Sequence, residues 1–546
     1  MADESRSGRS DKSDSQPGNA AGADRWPREE ARRLAERVAA YEPARPVIFQ
    51  SGFGPSGLPH LGTMAEILRP SFVRKAFHLI ELSRPSRLIV FIDDLDGLRK
   101  VPENVPNRAD FDRYLGLPVS KIPDPFGCCA SFADHMIGQL RKFLAPVEVE
   151  YELMRSAEMY SSGRFDEGLK LILDKHAEVT AIIAPTLREE NRAGWSPFMP
   201  ICPNCGQVVE RTVSAYHTER ASIEFICEKS AGGRSGCGFR GEQSVLGGMA
   251  KVQWKVDWAL RWYVLKVDYE LYGKDLTDSA RLSGQILRAL GAQPPLGFPF
   301  EMFLDEEGRK VSKSVGRGVT VEQWTRYAPI EVLKFFLLRN PHRARKLFLK
   351  AIPQYVDEYL DALCEYAAAP EEKKRESPLE YVIQKSTPKR FNSELSFGFI
   401  TSLVPALGTA DSNVIVSYLL KRDPNFEGEE NTASMVAVLV ECAINYYKDF
   451  VEPTKQPYSF SDVEREQLKT LATWLNDHPN ANAEEIEKRI YDLGREYYPD
   501  KPGKIFPLVY HAILQQVRGP RLGAHIAEFR LRAVKRLQEA ASVGIA

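Results

Sequence analysis

Near the start of this chain the hydrophobic period switches from strand to helix and back, and few folds accommodate that. Val47-Ile48-Phe49 is a short apolar run of β-prone residues, followed by a Gly/Pro/Ser loop from Gly52 to Gly62. Met64, Ile67, Leu68, Phe72 and Phe77 then recur at helical spacing. Leu88-Ile89-Val90-Phe91-Ile92 is a continuous apolar strand ending in Asp93-Asp94. Strand, helix, strand in that order specifies a right-handed parallel crossover, and hence an α/β sheet.

The rest of the chain divides around that unit. Residues 1 to about 24 are Ser, Asp, Gly and Lys with almost no large apolar side chains, the composition of a disordered tail. A short charged helix over 27–40 completes a leading segment, 1–44. Residues 45–160 form the first half of a nucleotide-binding domain. Residues 161–250 form an insert, helical to about 200 and cysteine-bearing over 200–245. Residues 251–330 resume the α/β pattern, and 331–546 read as helical, with Asp423 to Thr432 as an exposed acidic loop. A length of 546 residues suits roughly three to four domains.

A net charge of −1 excludes a global basic field, so any nucleic-acid surface must be a local patch. The sequence has no apolar run of about 18 residues for a membrane helix and no apolar leader for secretion. Four of the eight cysteines fall in one short stretch, which favours a metal over disulfides in a reducing compartment. The expectation is a soluble, cytoplasmic protein with no membrane partner.

The loop Gly54-Pro55-Ser56-Gly57-Leu58-Pro59-His60-Leu61-Gly62-Thr63 sits where a strand hands over to a helix. Ligands of open α/β sheets bind beyond the carboxyl ends of strands. Glycines there let backbone approach phosphates, and a helix N-terminus favours anions. A Gly-rich turn with a surface histidine is the competing reading. The segment resembles the His-Ile-Gly-His signature of class I aminoacyl-tRNA synthetases, with Thr63 replacing the second His, a variant shared by the class I lysyl family. The resemblance implies a Rossmann-like, doubly wound catalytic domain with a zinc-binding insert and a helical anticodon-binding region. It also implies that His60 contacts the ATP phosphates, that Pro55, Ser56, Gly57, Gly62 and Thr63 line the ATP site, and that Mg²⁺ enters with ATP.

About 250 residues downstream, Gly308-Arg309-Lys310-Val311-Ser312-Lys313-Ser314 resembles the Lys-Met-Ser-Lys-Ser loop of the same class. Two lysines and two hydroxyls suit a pyrophosphate leaving group, because cations stabilise charge that develops in the transition state. By resemblance Lys310 and Lys313 are catalytic, and Ser312, Lys313 and Ser314 bind ATP. Taken alone, the string reads as a charged surface turn. Its position after the first signature, and just before a helical region, reverses that reading.

Cys202-Pro203-Asn204-Cys205 is a C-x-x-C knuckle, with Cys227 and Cys237 downstream. Four thiolates suit a structural tetrahedral Zn²⁺. The nine-residue spacer inside the second pair is read as a flexible excursion that leaves the ligands together, with His217 as an alternative ligand and unliganded cysteines as the plain alternative.

Trp254, Trp258 and Trp262 place three tryptophans within nine residues. An aromatic face and a carboxylate can hold a lysine ammonium, so Trp254 and Asp257 are candidate amino-acid ligands, against a packed-core alternative. Glu301 supplies a further negative charge. Asp94 is read as facing the site, with helix capping as its alternative. By resemblance the backbone of Gln50, Ser51 and Gly52 lines the amino-acid pocket. Leu276 stands where the class usually has a hydrogen-bonding His.

Basic runs at Arg339, His342, Arg343, Arg345, Lys346, Lys350 and at Arg518, Arg521, Arg530, Arg532, Lys535, Arg536 suit RNA phosphates, or merely solvated helix faces. The resemblance, from about residue 45 to about 523, implies a class I lysyl synthetase acting on lysine and tRNA(Lys), most simply as a monomer. A class I enzyme for another amino acid and a non-catalytic RNA-binding paralogue are the alternatives.

Overall fold

The computed structural model describes residues 25–542 except 104, 193, 211–212, 311–318, 389–390, 392–394, 423–429 and 456–457. The tail to residue 24, most of the acidic stretch 423–432, and Ser312, Lys313 and Ser314 therefore lie outside the described residues.

The first helix, α1 (Trp26–Val38), is followed by β1 (Val47–Phe53), α2 (Leu61–Ile80) and β2 (Ser86–Ile92). Next come α3 (Phe132–Leu144), β3 (Glu152–Arg155) and four short helices over 156–192. The cysteine-bearing insert holds a three-stranded antiparallel sheet, β4 (Val213–His217), β5 (Ser222–Ile226) and β6 (Arg240–Ser244). The chain re-enters the catalytic fold with α4 (Trp254–Leu265), β7 (Tyr269–Glu270) and α5 (Thr277–Ala289).

The central sheet has the order β3-β2-β1-β7, all parallel, with Val47 opposite Ser86 and Phe49 opposite Tyr269. Alternate side chains of a strand point to opposite faces. Phe49, Phe53, Leu88, Val90 and Ile92 accordingly join one core, while Ile48, Ile89 and Phe91 join a second core built on α4 and α5. The sheet is covered on both faces, which is why β2 reads as an unbroken apolar run.

Beyond the lysine loop, α6 (Ile330–Leu338), α7 (Ile352–Ala368) and α8 (Phe397–Leu407) share the first core, which runs without a break from the sheet into the helical half. Trp26 of α1 ties into it, its indole donating to the Leu338 carbonyl at 2.8 Å. A separate core unites the helices from Asp462 to Ser542. The region 331–546 thus divides over two cores.

No single described helix is long and apolar enough to cross a membrane. A bent pair, α8 with the helix Ser412–Arg422, is apolar enough together; Phe397, Ile400, Leu403, Ile415 and Leu419 spend that apolarity on the first core.

Candidate functional site

The site lies beyond the carboxyl ends of β1, β2 and β7. His60 is the N-cap of α2 and forms a reciprocal capping box: its Nδ1 accepts from Thr63 N at 3.1 Å, and Thr63 Oγ1 accepts from His60 N at 3.4 Å. Because Nδ1 accepts, the neutral ring carries its proton on Nε2, making that nitrogen a donor. Thr63, 1% exposed, thereby orients His60 from within the core. Gly62 is obligatory for this fold-back, since a Cβ there would lie 2.5 Å from His60 Cε1. Gly54 and Gly57 behave differently. A Cβ at either would meet open space, and neither has a positive φ. Neither packing nor backbone geometry demands glycine there, so access to the main chain is what remains for it to provide. Pro55 is buried and Ser56 exposed on the same loop.

Glu270 ends β7, in register with Gln50 of β1, and is an acid the sequence reading omits. It is 6% exposed. Its Oε2 accepts three bonds, from Gln50 Nε2 at 2.8 Å, Trp258 Nε1 at 3.0 Å and Trp262 Nε1 at 2.5 Å. Burial pushes this carboxyl above the usual range, against the pull of those three donors and Arg261. With Nε2 committed to Glu270, Gln50 Oε1 is buried without a hydrogen-bond partner, as is the Ser51 hydroxyl. The first strand therefore delivers an orphaned acceptor beside a buried carboxylate. The three tryptophans of α4 form a ladder, with centroids 5.3 Å apart for Trp254–Trp258 and 5.0 Å for Trp258–Trp262.

Asp257 and Asp94 are also buried, but both are engaged. Asp257 accepts from the Tyr160 hydroxyl at 2.5 Å and pairs with Arg261, which also binds Asp93 and covers the Phe91 ring at 4.0 Å. Asp94 accepts from Arg155 Nε at 2.6 Å and from Ala157 N at 2.8 Å, capping the helix after β3. Asp96 pairs with the buried Lys251. Burial pushes Asp93 up to about 7, even beside Arg261. These residues form an ionic floor under the ladder; Asp257 and Asp94 fix Arg261 and Arg155.

Glu301 pairs with Lys274, and Lys310 reaches Asp275 at 3.0 Å. The Lys274–Leu276 turn thus grips both the approach to the lysine loop and its first lysine, while Leu276 packs against the second core. The loop opens as a hairpin in which Leu304 bridges Lys310 and Gly308 adopts φ 83°.

In the insert, Cys202 and Cys237 sulfurs lie 3.6 Å apart, and those of Cys205 and Cys227 3.7 Å. A tetrahedron with metal–sulfur bonds of about 2.3 Å has edges of roughly 3.8 Å, so the donor set fits zinc without rearrangement. His217 is not part of it: its Nε2 faces Glu224 at 3.0 Å. Nor does the spacer hang free. A Cβ at Gly232 would lie 2.6 Å from Gly116 N and from Leu98 O, and Ala231 N bonds Val208 O at 2.9 Å while Val208 N bonds Gly116 O at 2.8 Å. The spacer is a strap locked against the loop that follows Asp93–Asp96.

A second donor cluster straddles the start of α3. One ligand atom each from Asp124, Cys128, Cys129 and His135 can lie within 4.8 Å of the others, with Cys128 Sγ 3.1 Å from His135 Nδ1. Gln139 Nε2 lies 3.2 Å from His135 Nε2, on the far side of the ring. The sequence signal, an Asp, two adjacent Cys and a His within twelve residues, is short but readable.

The basic runs are partly structural. Arg530 donates to the carbonyls of Leu475 at 3.1 Å and His478 at 2.7 Å, and Arg345 covers Phe336 at 4.3 Å. Arg518, Arg521 and Lys535 are exposed.

A family model described as tRNA synthetases class I (K) matches residues 24–386. The chain is 37% identical over 517 residues to the lysine–tRNA ligase of Rickettsia africae (strain ESF-5), covering 94% of this chain and 97% of that protein. Identity and coverage are the same for the lysine–tRNA ligase of Rickettsia bellii (strain OSU 85-389). A solved glutamate tRNA ligase from Elizabethkingia meningosepticum matches with a TM-score of 0.37 and 13% identity, over 91% of this chain and 100% of that one. That match is too loose to carry anything across.

Proposed function

The chain belongs to the class I (K) tRNA synthetase family, and on that premise we propose that it is a lysine–tRNA ligase, joining lysine to tRNA(Lys) at the expense of ATP. Lysine's carboxylate attacks the ATP α-phosphate and pyrophosphate leaves. The terminal ribose hydroxyl of the tRNA then takes the lysyl group and AMP departs. Rate enhancement comes from positioning and charge stabilisation, and no side chain is assigned as a general base.

Glu270 carries the choice of lysine. A buried carboxylate with three donors on one oxygen, next to the orphaned Gln50 Oε1, suits the ε-ammonium. The Trp258 and Trp262 indoles fix that carboxylate. Asp257, Asp94 and Glu301 act by holding Arg261, Arg155 and Lys274. On the ATP side, His60 Nε2 donates to a phosphate oxygen, and the open backbone N–H groups of Ser56 and Gly57 take the rest, with Pro55 lining the site. Lys310, released from Asp275, joins Ser312, Lys313 and Ser314 on the departing pyrophosphate. Mg²⁺ accompanies ATP as its counter-ion.

The four insert thiolates hold a structural Zn²⁺, and Asp124, Cys128, Cys129 and His135 hold a second metal. The exposed cations of the helical half meet the tRNA backbone. The protein is read as cytoplasmic and monomeric.

Aminoacylation of total tRNA, with each of the twenty amino acids offered separately, tests the reading. Charging with lysine alone is expected. Charging with another amino acid removes the Glu270 assignment and keeps the ATP site. No charging by folded protein that binds ATP points to an RNA-binding paralogue.

A further inference from the structure

On the flank of α2 away from His60, a cavity of about 320 Å³ opens between that helix, the turn after α3, α6 and Tyr381. Leu68, the first residue of α2 on its wall, follows His60 by eight residues, so the cavity starts roughly 12 Å along the helix from the capping box. Lys334 of α6 lines it. This lysine is 2% exposed, and its ammonium has no hydrogen bond or ion pair among the described residues. A buried ammonium without a partner is costly and normally finds an anion or loses its proton.

The other charged groups on the walls do not supply that anion. Lys75 adds a second cation, its Nζ donating to the Tyr381 carbonyl at 3.1 Å. Arg74 is offset by Glu150 at 3.6 Å, and His78 is spent on Ser86 at 2.7 Å. Glu148 and Glu331 raise the affinity of Lys334 for its proton, but neither comes within ion-pairing distance. Burial, followed by Lys75, holds Lys334 down to about 8. Leu68, Phe72 and Val147 form the apolar remainder of the wall.

We propose that this cavity is a binding site for a small free organic anion, one with a phosphate-class head on Lys334 and Lys75 and an apolar body against Leu68, Phe72 and Val147. The ligand would bridge α2, which begins at the phosphate loop, to α6, which follows the lysine loop. It would link the two halves of the ATP site without entering it. This assignment is independent of the amino acid charged.

Calorimetric titration of the full chain with inorganic phosphate and with phenyl phosphate tests the site. Wild type is expected to bind both, phenyl phosphate at least threefold more tightly. Lys334→Met should weaken both at least tenfold, leaving phosphate-free aminoacylation unchanged. Lys75→Gln, on an exposed side chain, should weaken both about threefold and serves if the first variant does not fold. Wild-type protein that binds neither probe, or Lys334→Met protein that binds both as wild type does, would overturn the proposal. So would displacement of phenyl phosphate by tRNA, which would make the cavity an RNA-backbone contact.

Discussion

Replacing Glu270 with Gln changes one charge and almost no volume, at the point where we propose the amino acid is selected. In wild type, Oε2 is saturated by Gln50, Trp258 and Trp262, which leaves Oε1 as the oxygen for the proposed contact with the substrate ammonium. In the variant, the amide oxygen is drawn to the three donors, which turns the NH₂ group toward that ammonium. A charge-assisted hydrogen bond is replaced by two donors facing each other. The lost bond is worth about 1.5–3 kcal/mol, or roughly ten- to 150-fold in affinity at 1.4 kcal/mol per decade. ATP–pyrophosphate exchange with tRNA present throughout should show the lysine KM rising by that factor, the ATP KM unmoved and kcat changed far less. Stability should not fall. Burial raises the folded-state affinity of Glu270 for its proton, so the ionised carboxylate opposes folding at neutral pH, and a neutral amide removes that opposition. For the same reason, wild-type lysine affinity should fall as pH drops through a value above the ordinary glutamate range, and the variant should lose that dependence. An unchanged lysine KM in a folded variant would refute the assignment.

Other outcomes follow from the same geometry. Gly62→Ala forces the His60 ring off the start of α2, and adenylation should drop at least about tenfold with a modest loss of thermal stability; wild-type kinetics would mean that the ring need not sit there. Cys205→Ser should remove one metal equivalent measured by elemental analysis and lower the melting temperature. If metal content is unchanged, the tetrahedral set is wrong. Lys313→Ala should leave the circular dichroism spectrum intact and slow adenylation at least about tenfold, a loss that stopped-flow measurement of adenylate formation would detect.

The sequence reveals the sheet because β1 and β2 are buried on both faces and their apolar runs are local signals. It does not reveal β7, two residues long and paired through Phe49 and Tyr269 across more than half of the catalytic region. Glu270 is hidden with it: one acid in an aromatic run looks like a strand edge until Gln50 arrives from β1. The glycines show the same divide. The string Gly54 to Gly62 is legible as a phosphate loop, but only the packed structure separates Gly62, required by His60, from Gly54 and Gly57, which nothing local requires. Asp257 and Asp94 stand out as acids, yet sequence cannot reveal that Arg261, Tyr160 and Arg155 already claim them. The four insert cysteines were readable from spacing. The role of the residues between them was not, because Gly116 and Gly232 meet across more than a hundred positions.

That meeting bears on how the protein is made. If, as proposed, a metal ion gathers the four thiolates, the strap between Cys227 and Cys237 would settle against the loop that follows Asp93–Asp96 only once that ion is bound. Contacts so distant in sequence also close late in folding. The last part of the catalytic domain to set would then wait on metal, and newly synthesised chains in a metal-poor cell would stall with the sheet built but its acidic rim unsupported.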